Sequence, residues 1–344
     1  MDPGKKNDWL KKKVLVTGGA SLIRSSLVDR LIDQGANIRI VDNLSSGKLK
    51  NIDGHIKNNR VEFIESDLKN IRVAKKALKG IEMVFHLAAD HGGRGYVELN
   101  QAGTASNLAL DGILFYKAVK AGVKQIAYAS SSCVYPNCLQ GDSTKKIYLT
   151  EELVKPPYDA DNMYGWAKLM AELTLKAYAK KFNIGTASCR YFTVYGPKEI
   201  ENHAIMAMFA CAFIKQGPYE IWGGGSQVRN WTFVDDIVEK TILAAKKIKY
   251  GSAVNLGAME RIKVSDTAQM AIELAGYSRT IKFLRNMPTG PLNRVADNSL
   301  AKRILGWEPK VKFNKGFKLT AEWYFKNKKQ AEVEKNLNIL LLNR

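Results

Sequence analysis

Residues 13–42 constrain the fold of this chain more than any other stretch. The apolar run Lys13–Thr17 predicts a short buried strand, and the glycines after it predict a turn. Apolar residues then recur at spacings of three and four, which predicts a helix, and residues 38–42 predict a second strand. A strand, a helix and a second strand in this order form a βαβ unit. We therefore expect an α/β protein in which helices cover a doubly wound parallel sheet.

Length and composition restrict the classes of protein to consider. With 344 residues, of which 46% are hydrophobic and 25% charged, the chain has the composition of a soluble globular enzyme. No apolar run reaches the roughly 20 residues that a membrane helix needs, and residues 1–13 lack the apolar core of a signal peptide. The four cysteines show no zinc spacing. We expect reduced thiols, no metal site, no membrane association and a cytoplasmic location.

The net charge of +20 has two interpretations. Such an excess of basic residues can indicate a nucleic-acid-binding protein. Here the lysines are spread along the whole chain, and no nucleic-acid-binding motif accompanies them. We therefore favour a solvated basic surface that also attracts anionic substrates, and we expect no nucleic-acid partner.

Tyr164 and Lys168 are the first residues that indicate a chemical role. They lie four residues apart where an apolar helical pattern begins, so their side chains share one face of a helix. A cation beside a phenol favours the phenolate and is expected to lower its pKa, which lets the tyrosine accept a proton from a substrate hydroxyl. Upstream, residues 129–135 contain Ser131 at a predicted strand end, where open α/β sheets place their active sites.

Together these motifs resemble those of the extended short-chain dehydrogenase/reductases, in particular the NAD-dependent nucleotide-sugar epimerases and dehydratases. The resemblance extends from residue 13 to about residue 325 and implies an NAD-binding Rossmann domain of residues 13–192 plus 231–256. Residues 193–230 plus 257–330 would form a smaller α/β lobe that binds a nucleotide-diphosphate sugar, with tails at 1–12 and 331–344. The resemblance also implies a homodimer.

The resemblance assigns residues to the cofactor. Of the family's Gly-x-x-Gly-x-x-Gly pattern only Gly18 is kept, because Ser21 and Arg24 replace the second and third glycines. Asp42, at the end of the second strand, is placed to hold a ribose and favours NAD over NADP. Either Arg24 swings out and pairs with a phosphate or it impairs the site; we favour a working site because the other cofactor residues are present. The other residues expected to bind NAD are Leu22, Ile23, Asp67, Leu68, Leu87, Ala88, Ala89, Tyr164 and Lys168. Asp67 is equally suited to cap a helix.

Two features resemble the GDP-mannose 3,5-epimerase branch of the family, and a third position departs from it. In the glycine-rich loop of residues 90–96, Gly92 and Gly93 are expected to lie against the hexose. Cys133 stands at the place of that branch's acid/base cysteine. His203 stands at the place of a lysine that works with the cysteine, and histidine suits proton transfer near neutral pH. The structural alternatives are a buried small side chain for Cys133 and a surface histidine at a helix start for His203.

The residues expected to bind substrate come from both halves of the chain. Arg229 and Arg294 match two arginines that hold the substrate diphosphate in the family, and Thr193 stands where the family usually has asparagine. Residues 132–133 contain no Asp or Glu, which disfavours a dehydratase because elimination needs that acid. The full predicted set is Gly92, Gly93, Ser131, Thr193, Asn202, Gln227, Arg229 and Arg294.

The sequence thus predicts an NAD-dependent epimerase that acts through a transient 4-keto sugar. The tyrosine and serine would take the C4 hydroxyl proton as hydride leaves for NAD, and the ketone would acidify the hydrogens at C3 and C5. The cysteine and histidine, on opposite sides of the sugar ring, would exchange those protons. The alternatives are inversion at C4, which needs only the serine, tyrosine and lysine, and a non-catalytic binding module, suggested by the replaced glycines. The predicted catalytic residues are Ser131, Cys133, Tyr164, Lys168 and His203.

Overall fold

Strands and helices both occur along residues 9–341, which are the residues that the computed structural model describes. The strands are β1 (Lys13–Thr17), β2 (Asn37–Asp42), β3 (Val61–Glu65), β4 (Met83–His86), β5 (Gln125–Ser131), β6 (Gly185–Tyr191), β7 (Thr193–Tyr195), β8 (Tyr219–Trp222), β9 (Val228–Arg229), β10 (Trp231–Phe233), β11 (Tyr250–Leu256), β12 (Ile262–Lys263), β13 (Ile281–Leu284) and β14 (Asn293–Arg294). The helices are α1 (Leu22–Asp33), α2 (Asp53–Lys57), α3 (Ile71–Ala77), α4 (Arg94–Leu99), α5 (Gln101–Ala105), α6 (Asn107–Lys120), α7 (Asn162–Phe182), α8 (Ala204–Phe213), α9 (Val234–Lys247), α10 (Val264–Leu274), α11 (Ser299–Leu305), α12 (Phe313–Asn327) and α13 (Gln330–Leu340).

The main sheet has seven strands in the order β11-β6-β5-β4-β1-β2-β3. Every pairing in it is parallel, so the predicted doubly wound parallel sheet is confirmed. The chain runs from β1 outward to β3 and then returns to the other side of β1 to form β4. This reversal leaves a crevice at the carboxyl ends of β1 and β4, where open α/β sheets bind their ligands.

Helices cover both faces of this sheet. Val14 and Val16 of β1 belong to one apolar cluster, together with buried residues of α1 and α9, whereas Leu15 belongs to a second cluster with residues of α3 and α6. Alternate side chains of a strand point to opposite faces, so a strand buried on both faces is apolar throughout. No helix within residues 9–341 is long and apolar enough to cross a bilayer.

Three smaller sheets lie outside the main one. They pair β10 with β7, β13 with β8, and β9 with both β12 and β14. The parallel pairing of β14 with β9 sets Arg294 directly beside Arg229. Two arginines far apart in the sequence therefore become neighbours, as the expected diphosphate clamp requires.

The apolar runs of residues 61–68 and 83–89 predict a third and a fourth strand, but both predictions extend too far. The third strand ends at Glu65 and the fourth ends at His86. Each ends where its neighbour ends, because the last pairs are Asp42 with Glu65 and Thr17 with His86. Asp67 does not cap the next helix; Asn70 does so, by accepting a hydrogen bond from the main-chain nitrogen of Arg72.

Both segments predicted as tails, residues 1–12 and 331–344, contain residues that pack against the rest of the chain. Trp9, expected in the first tail, is 2% exposed and joins the main core. The second tail is largely helical, because α13 packs against α8 and buries Val333. Residues 1–8 and 342–344 lie outside the described part of the chain.

Gly165 lets the start of α7 approach the loop after β5. A β-carbon at this position would collide with the main-chain carbonyl oxygen of Cys133. The same loop is fastened to the residue before α7, because the main-chain nitrogen of Asp161 donates to the Cys133 carbonyl at 2.8 Å. The absence of a side chain at Gly165 therefore brings Tyr164 and Cys133 into the same region.

We expect Gly165→Ala to lower the free energy of unfolding by about 1–3 kcal/mol, because the added methyl meets main-chain atoms that cannot rotate away. Gly112→Ala on α6 is the matched control, since a β-carbon there has no heavy atom within 4 Å. That change is expected to raise the free energy of unfolding by about 0.5–1 kcal/mol. Urea unfolding measures both, and equal stabilisation by the two changes would contradict the close approach.

Candidate active site

A cavity of about 420 Å³ lies at the carboxyl ends of the main-sheet strands and extends toward the smaller sheets. Most predicted site residues line it. They are Ser21, Leu22, Ile23, Leu87, Ala89, Gly92, Gly93, Ser131, Cys133, Tyr164, Lys168, Thr193, His203, Gln227, Arg229 and Arg294. The predicted residues outside its lining are Gly18, Asp42, Asp67, Leu68, Ala88 and Asn202. Within residues 9–341 no group of three or more His, Cys, Asp or Glu is arranged to hold a metal ion.

The turn between β1 and α1 forms one end of the cavity. Gly18 has φ +68°, and a β-carbon there would lie 3.0 Å from the Cα of Ala88. Asp42 accepts hydrogen bonds from the main-chain nitrogens of Ala20 at 2.9 Å and Leu44 at 2.8 Å. A carboxylate has about four lone-pair sites, so Asp42 keeps acceptor capacity for ribose hydroxyls. The close turn, the helix N-terminus and the fixed carboxylate fit a dinucleotide.

The loop after β4 is held in place by two side chains. Asn107 accepts from the main-chain nitrogen of Asp90 at 2.7 Å and donates to its carbonyl oxygen at 2.9 Å. Tyr96 donates its hydroxyl to the Asp90 carboxylate at 2.5 Å. These bonds fix the segment that presents Gly92 and Gly93 to the cavity, where the absence of side chains leaves room for a ligand.

Tyr164, Ser131 and Lys168 meet at the centre of the cavity. Ser131 lies close enough to Tyr164 to act on the pKa of its phenol, and both side chains line the cavity. The Lys168 ammonium donates to the carbonyl oxygen of Ala129 at 2.8 Å and lies 5.7 Å from the centre of the Tyr164 ring. The predicted spacing thus brings the three side chains together.

The predicted lowering of the Tyr164 pKa is wrong. Burial raises the pKa of Tyr164 above its ordinary value, while Arg24 and the hydrogen bond from Ser131 act in the opposite direction. Desolvation of the phenolate outweighs these favourable interactions because the phenol lies in a water-poor site. Sequence spacing shows which groups are neighbours, but the extent of burial depends on the folded structure.

Cys133 occupies a polar position and not an apolar one. Its main-chain nitrogen donates to the Ser131 hydroxyl oxygen at 3.1 Å, and its sulfur accepts from Nη1 of Arg294 at 3.2 Å. Cys189 shows the contrast, because it is fully buried in β6 and burial raises its pKa to about 12. A guanidinium that donates to sulfur stabilises negative charge there, which a cysteine needs in order to accept a proton.

Asp161 and Arg94 are site residues that the sequence analysis missed. The Asp161 carboxylate accepts from Arg94 at 2.8 Å and from Arg294 at 2.9 Å. Burial raises the pKa of Asp161, but the two guanidiniums outweigh burial and the net pKa is lowered. Signals for both were available, because Arg94 lies within the glycine-rich loop and Asp161 directly precedes the tyrosine helix. The ion pair between them had no sequence signal.

Among the three arginines Arg94, Arg229 and Arg294, Arg229 is the one best placed to bind an anion. Within residues 9–341 its guanidinium donates only to carbonyl oxygens, those of Val228 at 3.0 Å and Thr289 at 3.1 Å. Burial lowers its pKa to about 9, and the charges of Arg294 and Arg94 act in the same direction. A dianionic group would relieve both effects, as expected for a diphosphate site.

His203 lies at the start of α8, and its ring is 5.9 Å from that of His91. Its Nδ1 lies 3.7 Å from a carboxylate oxygen of Glu199, and its Nε2 is buried without a partner in the described chain. It lines the cavity, so it is not a plain surface histidine. Asn202 lies outside the lining, and its amide oxygen has no partner within residues 9–341.

Sequence comparison identifies the family. Residues 14–257 match the family described as the NAD dependent epimerase/dehydratase family. The chain is 32% identical to GDP-mannose 3,5-epimerase of Arabidopsis thaliana over 332 residues, which cover 94% of this chain and 84% of that protein. This chain therefore belongs to the NAD dependent epimerase/dehydratase family.

Solved structures agree with this assignment. An epimerase from Methanothermobacter thermautotrophicus matches with a TM-score of 0.84 at 29% identity, over 96% of each chain. UDP-glucuronic acid 4-epimerase from Bacillus cereus, solved with UDP-glucuronic acid and NAD, matches with a TM-score of 0.81 at 28% identity, over 90% of this chain and 98% of that one. The predicted fold, the epimerase class of enzyme and NAD as cofactor are thereby confirmed.

Stability should depend on pH through Lys168, because burial lowers its pKa to about 8 from 10.5. The unfolded chain holds this proton more tightly, so the folded state gains stability as pH rises from about 8 toward 10.5. Lys168→Met removes the buried charge. We expect the free energy of unfolding of Lys168→Met, minus that of wild type, to be greatest at pH 7 and to fall by a few kcal/mol by pH 10.

Urea unfolding between pH 7 and 10 measures that difference. Lys176→Met, which changes an exposed lysine on the same helix, is the control and should show a difference that hardly varies with pH. If the difference in free energy of unfolding between Lys168→Met and wild type does not vary with pH, burial does not lower the pKa of Lys168.

Proposed function

We propose that this protein epimerises a nucleotide-diphosphate hexose at C3 and C5 through a transient 4-ketone, in the manner that the name GDP-mannose 3,5-epimerase describes for its Arabidopsis relative. The observation that carries the proposal is the contact between Arg294 and the Cys133 sulfur at 3.2 Å. It puts a thiol that accepts a hydrogen bond from a guanidinium in the cavity that also contains Tyr164 and Ser131. Inversion at C4 alone has no use for such a thiol.

The first step removes the C4 hydroxyl proton. Tyr164 receives it as general base in its phenolate form, which the charge of Arg24 favours against burial, and Ser131 lines the same cavity to share the proton. When bound, NAD supplies reversible hydride acceptance at C4. The residues that would hold it are the turn at Gly18, the first residues of α1 and Asp42. Lys168 adds a positive charge below the tyrosine ring.

The second step exchanges protons beside the ketone. A carbonyl at C4 makes the hydrogens at C3 and C5 acidic, and each needs one base to remove it and one acid to return it. We assign these roles to Cys133, beside the Arg294 guanidinium, and to His203, beside Glu199. Reversal of the first step then restores the C4 hydroxyl without net oxidation.

Substrate binding follows from the distribution of charge. Arg229 is expected to grip the diphosphate, because its guanidinium has no acidic partner within residues 9–341. Arg294 uses its donors on Gln140, Cys133 and Asp161, so we assign it to orienting the thiol as well as to attracting the diphosphate. Gly92 and Gly93 would face the hexose.

The expectations on assembly are part of the proposal. We propose a cytoplasmic homodimer that acts on a GDP-linked hexose, with a Rossmann domain of residues 13–192 plus 231–256. The substrate lobe would comprise residues 193–230 plus 257–330. The composition and the family resemblance support these points.

Inversion at C4 is the second candidate. The Bacillus cereus structure with a TM-score of 0.81 is a UDP-glucuronic acid 4-epimerase, and its likeness covers 90% of this chain. Such a reaction needs Ser131, Tyr164 and Lys168, all of which line the cavity. It differs from the first candidate in one measurable respect, because the original hydrogen returns to C4 and no solvent hydrogen enters the sugar.

Turnover in deuterated water separates the candidates. With GDP-mannose, UDP-glucose and UDP-glucuronic acid as trial substrates, 3,5-epimerisation must install solvent deuterium at C3 or C5, detectable by mass spectrometry and proton NMR. Cys133→Ala should strongly reduce this incorporation while sugar still reduces bound NAD. Cys138→Ala, which changes an exposed thiol, is the control and should incorporate deuterium normally. Product without deuterium would reject the roles of Cys133 and His203 and leave C4 inversion.

Tyr164→Phe should lower kcat by about 10²–10⁴-fold for either candidate, because the phenol that accepts the C4 hydroxyl proton is lost. The absorbance of reduced NAD on mixing with sugar should fall in parallel. Tyr116→Phe, on the exposed surface of α6, should behave as wild type. A Tyr164→Phe enzyme with normal turnover would exclude both mechanisms.

A further inference from the structure

Arg24 occupies an unusual position for a charged side chain. It stands on α1 at the third place of the family's glycine pattern, and it is 7% exposed. Its Nη1 lies 3.0 Å from the point where a β-carbon on Gly18 would be. The side chain therefore does not swing out, as one alternative from the sequence supposed. It lies over the turn between β1 and α1 and lines the cavity.

The Arg24 guanidinium has no ion-pair partner within residues 9–341. The groups whose charge acts on it include Asp42 and Glu199, but neither carboxylate forms a salt bridge or a hydrogen bond with it. Burial lowers its pKa, although a guanidinium still keeps its proton at neutral pH. A buried cation without a partner is costly, so the folded chain holds here a site that an anion would stabilise.

A second feature favours an anion at the same place. Helix α1 is 12 residues long and begins beside this cavity, which Ser21, Leu22 and Ile23 line. Ser21 is the N-cap residue, and its side chain makes no capping hydrogen bond. The first main-chain N–H groups of a helix attract negative charge, and the helix dipole adds to that attraction. The helix N-terminus and the Arg24 guanidinium therefore converge on one volume.

We propose that Arg24 binds the diphosphate of NAD, with charge-assisted hydrogen bonds that compensate for the second glycine, whose close main-chain approach to the diphosphate is lost at Ser21. A planar guanidinium can donate two parallel hydrogen bonds to phosphate oxygens. The inference depends on NAD binding and is independent of which sugar carbon is inverted. It also answers the question raised by the lost glycines, because Arg24, at the third position, supplies a cation to the phosphate site that has lost its second glycine to Ser21.

The test is the affinity for NAD of the full-length protein after bound dinucleotide has been removed, measured by isothermal titration calorimetry. Loss of a charge-assisted contact in Arg24→Gln should weaken NAD binding by about 10–100-fold. Arg24→Lys, which keeps the charge, should lie between Arg24→Gln and wild type. Arg30→Gln, on the exposed side of the same helix, is the matched control and should leave NAD affinity unchanged. Thermal melting by circular dichroism confirms that each variant is folded.

The outcomes separate this inference from the proposed function. NAD binding by wild type together with equal or tighter binding by Arg24→Gln would overturn the role of Arg24 and leave the epimerase proposal intact. Absence of NAD binding by wild type would overturn both. If Arg24→Gln does not fold, the wild-type protein provides the test. Inorganic pyrophosphate should displace NAD from it, and failure to displace NAD at millimolar excess would reject a diphosphate site at Arg24.

Discussion

The parallel pairing of β1 with β4 determines where the functional groups of this protein lie. Because β1 also pairs with β2, the chain leaves β1 on one side and returns on the other. The turn at Gly18 and the loop after β4 consequently face each other at the carboxyl ends of the two strands. The cavity, the helix N-terminus beside it and the fixed segment around Asp90 all follow from this one reversal of strand order.

The parts of the fold that could be predicted are those with local causes. The strand β1, the helix α1 and the strand β2 follow from apolar periodicity and from the glycines between them. The ends of β3 and β4 could not be predicted in this way, because each stops where the neighbouring strand stops. The small sheet that pairs β9 with β14 could not be predicted either, because strands of two residues are too short to show an apolar periodicity.

The same distinction between local and long-range causes applies to the candidate site. The four-residue spacing of Tyr164 and Lys168 was enough to place both in one cavity, and the position of Ser131 at a strand end was enough to place it beside them. The direction of the Tyr164 pKa was not predictable, because it depends on how completely packing excludes water. The link from Arg94 through Asp161 to Arg294 joins three distant segments, and only the folded chain reveals it.

That link also bears on which parts of the cavity can move. Asp161 precedes α7, Arg94 begins α4 and Arg294 ends β14, so one buried carboxylate fastens the tyrosine helix, the glycine-rich loop and the C-terminal third of the chain together. Separating buried charges costs several kcal/mol, so these three segments are held as one unit. A cluster that orients a thiol thus also makes one side of the cavity rigid.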